Sequence, residues 1–492
     1  MIETAPRSSS TSEGDLGAYL SKLALIPASD IPADAIHATR RIIADTLACA
    51  LAAADLDVAV ALRRHRSALG GSPQSTVVGG GLLPAPAAAA VNAQIANLLD
   101  ADETLHNFTH FACAVVMPAL AVAESVGASG EEFVAAVATG YEIAGRFALA
   151  MPDFDLTPEG ELIRMPGTGF SWAAFGAAAA AARLLSASED RVRHALGTAF
   201  VLTPLHGSLI GFTSAMGVRP SPWYKYGAYG AIAESGVQAA LLSIEGLDAD
   251  PTMLVRDSGF WRAFGTVSFD WTAAGRPIED SPWLIEQTAL KPYPFCRYGH
   301  IAIDLFRQIV IDEHLSPEEI DDVSITTVPF ATMQALMDYR MPASDIDVMS
   351  SLPYALAMVA HGVPAGPAWW EPERRQDSQI AKFAEKVHGV MDPTLNEVLT
   401  AQVVAGGRFR RLPTTVEVRS GARTFVKSHD RARGDTEPIE MAFTDSDLAS
   451  KVRDFVGTVR GAQMADALMS AAMNIDELPD VSGLTALIGA PQ

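Results

Sequence analysis

The chain has 492 residues, of which 49% are hydrophobic, 19% charged and 7% aromatic, and its formal net charge is -22. That length exceeds one compact core, and the scattered Lys and Arg form no basic run that could neutralise phosphates, which argues against nucleic-acid binding. An acidic chain that takes an anionic ligand must do so through a local cationic pocket, so each Lys, Arg or His inside an apolar segment is a candidate.

Residues 1–14 are rich in Ser and Thr, lack an apolar stretch, and read as a polar tail rather than a signal peptide. Ile36, Ile43, Leu47 and Ala50 recur at helical spacing after Asp30 and Pro32, predicting a helix over 33–54. Gly79-Gly80-Gly81 lacks the spacing of a phosphate loop and reads as a turn. Two apolar segments, 85–99 and 113–126, then bracket Leu99-Asp100-Ala101-Asp102-Glu103-Thr104-Leu105-His106-Asn107-Phe108-Thr109-His110. Charge between two core-forming segments is either solvated or gathered in a cleft. Carboxylates beside imidazoles can hold protons at different pKa values, which acid–base chemistry needs. The plainer reading is a polar loop whose histidines bond locally.

Ser129 with Glu132 predicts a capping box ahead of a helix over 133–151. An Ala-rich helix is predicted over 176–185, and 196–202 and 228–242 continue the pattern. From 17 to about 264 almost nothing alternates with period two, predicting an all-α region. Apolar runs such as 173–185 are too short to span a bilayer.

After about Trp271 the texture changes, with Gly275, Pro277, Pro282, Pro292 and Pro294 breaking the helical pattern. Residues 323–328 and 415–418 alternate as strands, and Ser420-Gly421-Ala422-Arg423 marks a hairpin into 424–426. Helical pattern returns over 446–460 and 462–473. The expected division is a helical part over 1–285, an α+β part over 286–428, and C-terminal helices over 429–492 that pack back on the first part. Cys49, Cys113 and Cys296 are too few and too dispersed for a disulfide framework or zinc site, and free thiols point to a reducing cytoplasm.

Two further segments carry cations in apolar or aromatic surroundings. In Ser221-Pro222-Trp223-Tyr224-Lys225-Tyr226-Gly227, Lys225 stands just ahead of a helix start, where it could bind a carboxylate with help from the helix dipole, or snorkel at the surface. In Lys291-Pro292-Tyr293-Pro294-Phe295-Cys296-Arg297-Tyr298-Gly299-His300, two prolines stiffen a run holding Lys, Arg, His and a thiol, leading into a helix over 301–309. The plain alternatives are an interdomain linker and a core-lining Cys296.

With these segments on view, the chain resembles the MmgE/PrpD family, which includes 2-methylcitrate dehydratase, cis-aconitate decarboxylase and iminodisuccinate epimerase. The resemblance runs through Asp45-Thr46-Leu47-Ala48-Cys49, residues 88–110, Gly140-Tyr141-Glu142, residues 176–185, 225–236 and 291–304, and Arg433-Gly434-Asp435. It implies a mainly α fold, in which an all-α domain built from both chain ends carries an inserted α+β lid domain. It also implies a homodimer, an active site between the domains, a small carboxylate substrate and no metal or organic cofactor. Carried over by position, it places Asp100, Thr104 and His110 in the site with His106 close by, then Lys225, then Lys291 and His300. Cys296 falls where some members have His, Arg297 lies beside it, and Tyr339 matches a family tyrosine through 337–342. One departure stands out. Where members carry a Gly-Trp-His-x-Thr-Gly element, this chain reads Met165-Pro166-Gly167-Thr168-Gly169-Phe170, with Gly167 at the His position and Arg164 or His206 as candidate replacements.

The chemistry implied is proton transfer at a carbon next to a carboxylate, which requires neutralising charge and stabilising an enediolate-like transition state. Lys225 and Lys291, with Arg297, suit carboxylate clamps; His110 or His300 suits the proton transfer; Asp100 orients a neighbouring cation; Thr104 bonds substrate. Dehydration of a hydroxy-polycarboxylate such as 2-methylcitrate is the first expectation, with decarboxylation or epimerisation of an atypical substrate beside it. The competing class is a non-catalytic dimeric helical scaffold.

Overall fold

In the computed structural model the chain is 59% helical with a few small sheets, so the expected mainly α class holds. The structure describes residues 15–489 apart from 107–108, 153, 161, 165–169, 205–219, 221–222, 226, 267 and 330. The Gly167 element and His206 therefore lie outside the described residues, and so does the side chain of Arg164.

Small side chains let the helices of the first half approach closely. Helix Ala173–Leu184 is buried along its whole length and packs on helices Cys113–Val126, Gly130–Ala150 and Tyr229–Ile244. Its seam with Gly130–Ala150 turns on a reciprocal glycine pair. A Cβ on Gly140 would come within 2.8 Å of the Gly176 carbonyl oxygen, and one on Gly176 within 2.4 Å of the Gly140 oxygen. Any side chain at either position would push the helices apart and open voids along an alanine-lined interface. Gly130–Ala150 is long and apolar enough to cross a membrane, yet nearly all of it is buried inside the protein, as befits a central core helix. Helix Ala85–Asn97, which leads to the acid-rich segment, packs against Ala33–Ala53, Cys113–Val126 and Tyr229–Ile244.

The all-α expectation for this half needs a small correction. Short antiparallel pairs join Ser75–Thr76 to Leu82–Leu83, Phe154–Leu156 to Leu162–Arg164, and Thr104–Leu105 to Thr288–Ala289. At two or three residues each, these strands are too short to show alternation. Gly79, Gly80 and Gly81 form the turn between the first pair, at φ values of 82°, 116° and 94° that side chains rarely adopt. The expected capping box at Ser129 is half formed: Ser129 accepts from the Glu132 N–H, while the Glu132 carboxylate turns to Arg183 at 3.1 Å.

The largest sheet has four strands. Arg423–His429 pairs with Thr414–Ser420, which pairs with Asp322–Thr327, both antiparallel; Asp322–Thr327 then pairs in parallel with Val387–Met391. Helix His300–Asp312 covers Thr414–Ser420 and Arg423–His429. Asp322–Thr327 and Thr414–Ser420 bury alternate residues, as their sequence pattern predicts. Val387–Met391 went unread because only Val387 of its residues is buried, leaving no apolar alternation to see. Helices Asp445–Val452 and Ala462–Met473 pack on Ala33–Ala53. They bring the last part of the chain beneath the acid-rich segment.

Candidate active site

Residues 98–112 join helix Ala85–Asn97 to helix Cys113–Val126, and 98–105 and 109–112 are drawn inward rather than solvated. Asp100, Asp102, Glu103 and Thr104 are each 0% exposed and His110 is 6% exposed. The backbone shows strain where the candidates sit: Asp100, His106 and Lys225 have φ of 53°, 52° and 54°. Left-handed backbone costs a non-glycine residue about 1–2 kcal/mol, so the surroundings must hold each of them in place.

Asp100 is the hub. Lys291 Nζ donates to Asp100 Oδ1 at 3.0 Å and to the Asp100 carbonyl at 3.1 Å. Lys225 Nζ donates to the same Oδ1 at 3.3 Å, and His110 Nε2 lies 3.7 Å from it. Both lysines are buried, so the surface-snorkelling alternative for Lys225 falls. Lys225 also donates to the Asn97 carbonyl at 2.5 Å, at the end of helix Ala85–Asn97. The ammonium thus sits at the negative, C-terminal end of a neighbouring helix, where its charge is favoured. Burial lowers the Lys225 ammonium below the usual lysine range, against the pull of Asp100 and Asp102.

The other edge of His110 meets a second carboxylate. Asn97 Nδ2 donates to Asp102 Oδ2 at 2.8 Å and lies 3.1 Å from His110 Nδ1. Asp102 Oδ2 lies 3.5 Å from the same Nδ1, so this edge of the ring faces both an amide and a carboxylate, while Nε2 faces Asp100. The ring packs against Phe170 and Tyr229, with centroids 5.2 and 5.9 Å away, and the Tyr229 hydroxyl donates to the His110 carbonyl at 3.1 Å. Burial and then Lys291 lower the imidazole below its ordinary value, despite Asp102 and Asp100. Burial alone would raise the Asp102 carboxyl, but His110, Lys291 and Lys225 hold it down to about 2. The imidazole therefore stands between the Asp102 carboxylate and the lysine-bound Asp100.

Glu103 behaves differently. Burial, followed by Asp102, pushes its carboxyl up to about 8, although it accepts from the Phe111 and Ala112 N–H groups at 2.8 and 2.7 Å. Its protonated side chain caps the start of helix Cys113–Val126 and fixes the far end of the segment. Thr104 Oγ1 is buried with no hydrogen-bond partner among the described residues. Asp100, Asp102 and His110 each offer a ligand atom within 4.8 Å of one another, and so could hold a metal. The two ammonium groups already on Asp100 make that position repulsive to a divalent cation.

The remaining candidates are drawn to other tasks. His106 turns away from Asp100 toward Arg410 and Gln287, at 2.9 and 3.3 Å, and burial with Arg410 and Arg408 takes its imidazole down to about 3. Arg297 ion-pairs with Asp435 and donates to the Arg433 carbonyl at 3.1 Å. It thus anchors the 291–300 segment to 433–435. His300 places Nε2 2.9 Å from the Phe295 carbonyl and Nδ1 3.5 Å from Arg297; burial keeps it neutral, well below its ordinary pKa. With both ring nitrogens engaged, it braces the segment. Cys296 is half-buried against the core, and its N–H donates to Met349. The Tyr339 hydroxyl donates to Asp347 at 3.0 Å and accepts from the Ala343 N–H at 2.7 Å, closing its own loop instead of meeting Asp100.

Sequence reasoning missed Asn97 and Tyr229, which look like ordinary helix residues until the fold brings them to His110. A cavity of about 460 Å³ opens beside Pro292 and Tyr293, against Arg307 and Trp369, but none of the clustered residues lines it.

The family model of the MmgE/PrpD N-terminal domain matches residues 16–272, and that of the MmgE/PrpD C-terminal domain matches 293–476. Cis-aconitate decarboxylase of Homo sapiens is 24% identical over 475 residues, spanning 93% of this chain and 90% of that protein. Cis-aconitate decarboxylase of Mus musculus is 23% identical over 475 residues, spanning 93% and 89%.

Proposed function

The chain belongs to the MmgE/PrpD family, and from that premise we propose that it is a lyase that transfers a proton at a carbon next to a carboxylate of a small polycarboxylic acid. The observation that carries this reading is the buried meeting of Lys225, Lys291 and His110 on one carboxylate oxygen of Asp100. Structural ion pairs seldom bring two ammonium groups and an imidazole onto one buried acid, because the desolvation is so costly. A substrate carboxylate entering beside Asp100 gives the two lysines a second counter-ion.

Decarboxylation of a cis-aconitate-like acid is the overall reaction we favour, supported by the two similar proteins of that name. In such a step the bond to the departing carboxylate breaks, and its electron pair shifts through the alkene. The carbon next to a retained carboxylate then takes a proton. Lys225 and Lys291 hold the retained carboxylates and offset the charge that builds in the transition state. A bound polycarboxylate also raises the His110 imidazole, so that it is protonated in the complex and delivers the proton from Nε2. Thr104 Oγ1 bonds the substrate.

Dehydration of a hydroxy-polycarboxylate such as 2-methylcitrate is the second reading. It is favoured by the lowering of the His110 imidazole below its ordinary value, since an uncharged imidazole is a competent base for removing an α-proton. Incubating the protein separately with cis-aconitate and 2-methylcitrate, and following each by proton NMR, distinguishes the two. Carbon dioxide release with a shifted alkene is expected from the first acid. Water loss from the second alone would select dehydration, and silence with both would overturn the lyase reading.

A further inference from the structure

Asp100 and its neighbour Ala101 present consecutive carbonyls, and each is met by a buried lysine. Lys291 donates to the Asp100 carbonyl at 3.1 Å. Lys451, from helix Asp445–Val452, donates to the Ala101 carbonyl at 2.5 Å. Nothing in the sequence around Lys451 singles it out, and 350 positions separate it from Ala101. Its ammonium is anchored by Asp45 Oδ1 at 2.5 Å, and the Phe455 ring centroid lies 5.3 Å away. Lys451 and Asp45 are both buried, and Asp45 Oδ2 has no other partner among the described residues.

We propose that Lys451, held by Asp45, is a positioning residue that pins the Ala101 carbonyl, keeps Asp100 in its left-handed conformation, and so aims Asp100 and Asp102 at the lysines and His110. The strain makes this necessary. A φ of 53° at Asp100 persists only if bonds on both sides of the residue hold it. Upstream, its N–H donates to the Asn97 carbonyl at 3.1 Å. Downstream, the next peptide carbonyl is fixed by Lys451. Release of that carbonyl lets Asp100 relax and swings Asp102 away from Asn97 and His110. An ammonium suits the task, because it can bond a carbonyl and a carboxylate together with no acceptor of its own to satisfy.

The kinetic side of this inference rests on the lyase reading; the structural side does not. The discriminating variant is the double replacement Asp45→Leu/Lys451→Met, because a buried ion pair exchanged for apolar residues of similar volume is often neutral for stability. A pair that only joins helices would then leave turnover intact. Positioning predicts a melting temperature within about 5 °C of the unmodified protein and kcat lowered by about tenfold or more with KM nearly unchanged. Amide hydrogen exchange across residues 99–105 should also rise, by about tenfold, through local opening. If the apolar pair does not fold, Asp45→Asn/Lys451→Gln is measured in the same way. Unchanged kcat together with unchanged exchange overturns the inference. If the unmodified protein turns over no acid, the lyase reading fails, and hydrogen exchange alone decides the positioning role.

Discussion

Asp100→Asn is expected to lower stability by about 3–5 kcal/mol near neutral pH, the usual cost of leaving a buried charge without its partner. The substitution preserves shape but removes the negative charge that Lys225 and Lys291 share. Lys225 is already lowered by burial, and Asp100 is the first of the groups that oppose that shift. Without Asp100 its folded-state pKa falls further below the value of an unfolded lysine. The folded variant then binds fewer protons than the unfolded chain across the interval between those two values. Stability therefore rises with pH through that interval, and the deficit against the unmodified protein narrows between about pH 7 and about pH 10. Adding Lys225→Met should recover part of the loss, since one orphaned ammonium goes with it. Urea unfolding at both pH values checks this. A single variant as stable as the unmodified protein, or a deficit that widens with pH, would show that Asp100 does not hold the lysines.

His110→Gln is expected to do the reverse, sparing the fold and removing the chemistry. Glutamine can still meet Asn97, and the Phe170 and Tyr229 rings that flank His110 remain packed on each other, with centroids 5.6 Å apart. Melting should change little, while turnover falls by about 10²–10⁴, the usual contribution of a positioned acid or base. The measurement is kcat per folded molecule beside a thermal melt. Normal turnover in a protein that melts earlier would make His110 a core histidine and return the proton transfer to Lys225 or Lys291.

Much of this centre was legible because its parts are locally odd. Three acids and two histidines between apolar helices, a lysine among aromatics and a lysine before two prolines all break the pattern around them. The long helices were legible for the opposite reason, as their apolar spacing is regular. What the chain could not show is how far each charge travels to find its partner. Arg297 has a lysine, a histidine and a thiol for near neighbours in sequence, yet its partner is Asp435, 138 positions away. Lys451 sits in an ordinary amphipathic helix and reaches beneath the acid-rich segment. Tyr339 matches a family tyrosine by position, but local bonds to Asp347 and Ala343 decide where its hydroxyl points. Val387–Met391 joins the sheet through backbone pairing that its side chains do not announce. Local composition reveals a charge in an unusual place; only the fold reveals what answers it.

In the proposed reaction the Asp100-centred cluster transfers a proton at a carbon next to a carboxylate. The most direct measurement is NMR of the turnover product formed in heavy water. Decarboxylated product should carry solvent deuterium at the carbon adjacent to a retained carboxylate, delivered to one face, with the rate of its appearance collapsing in His110→Gln. Decarboxylated product free of solvent deuterium at that carbon, or deuterium entering at an undiminished rate in His110→Gln, would contradict it.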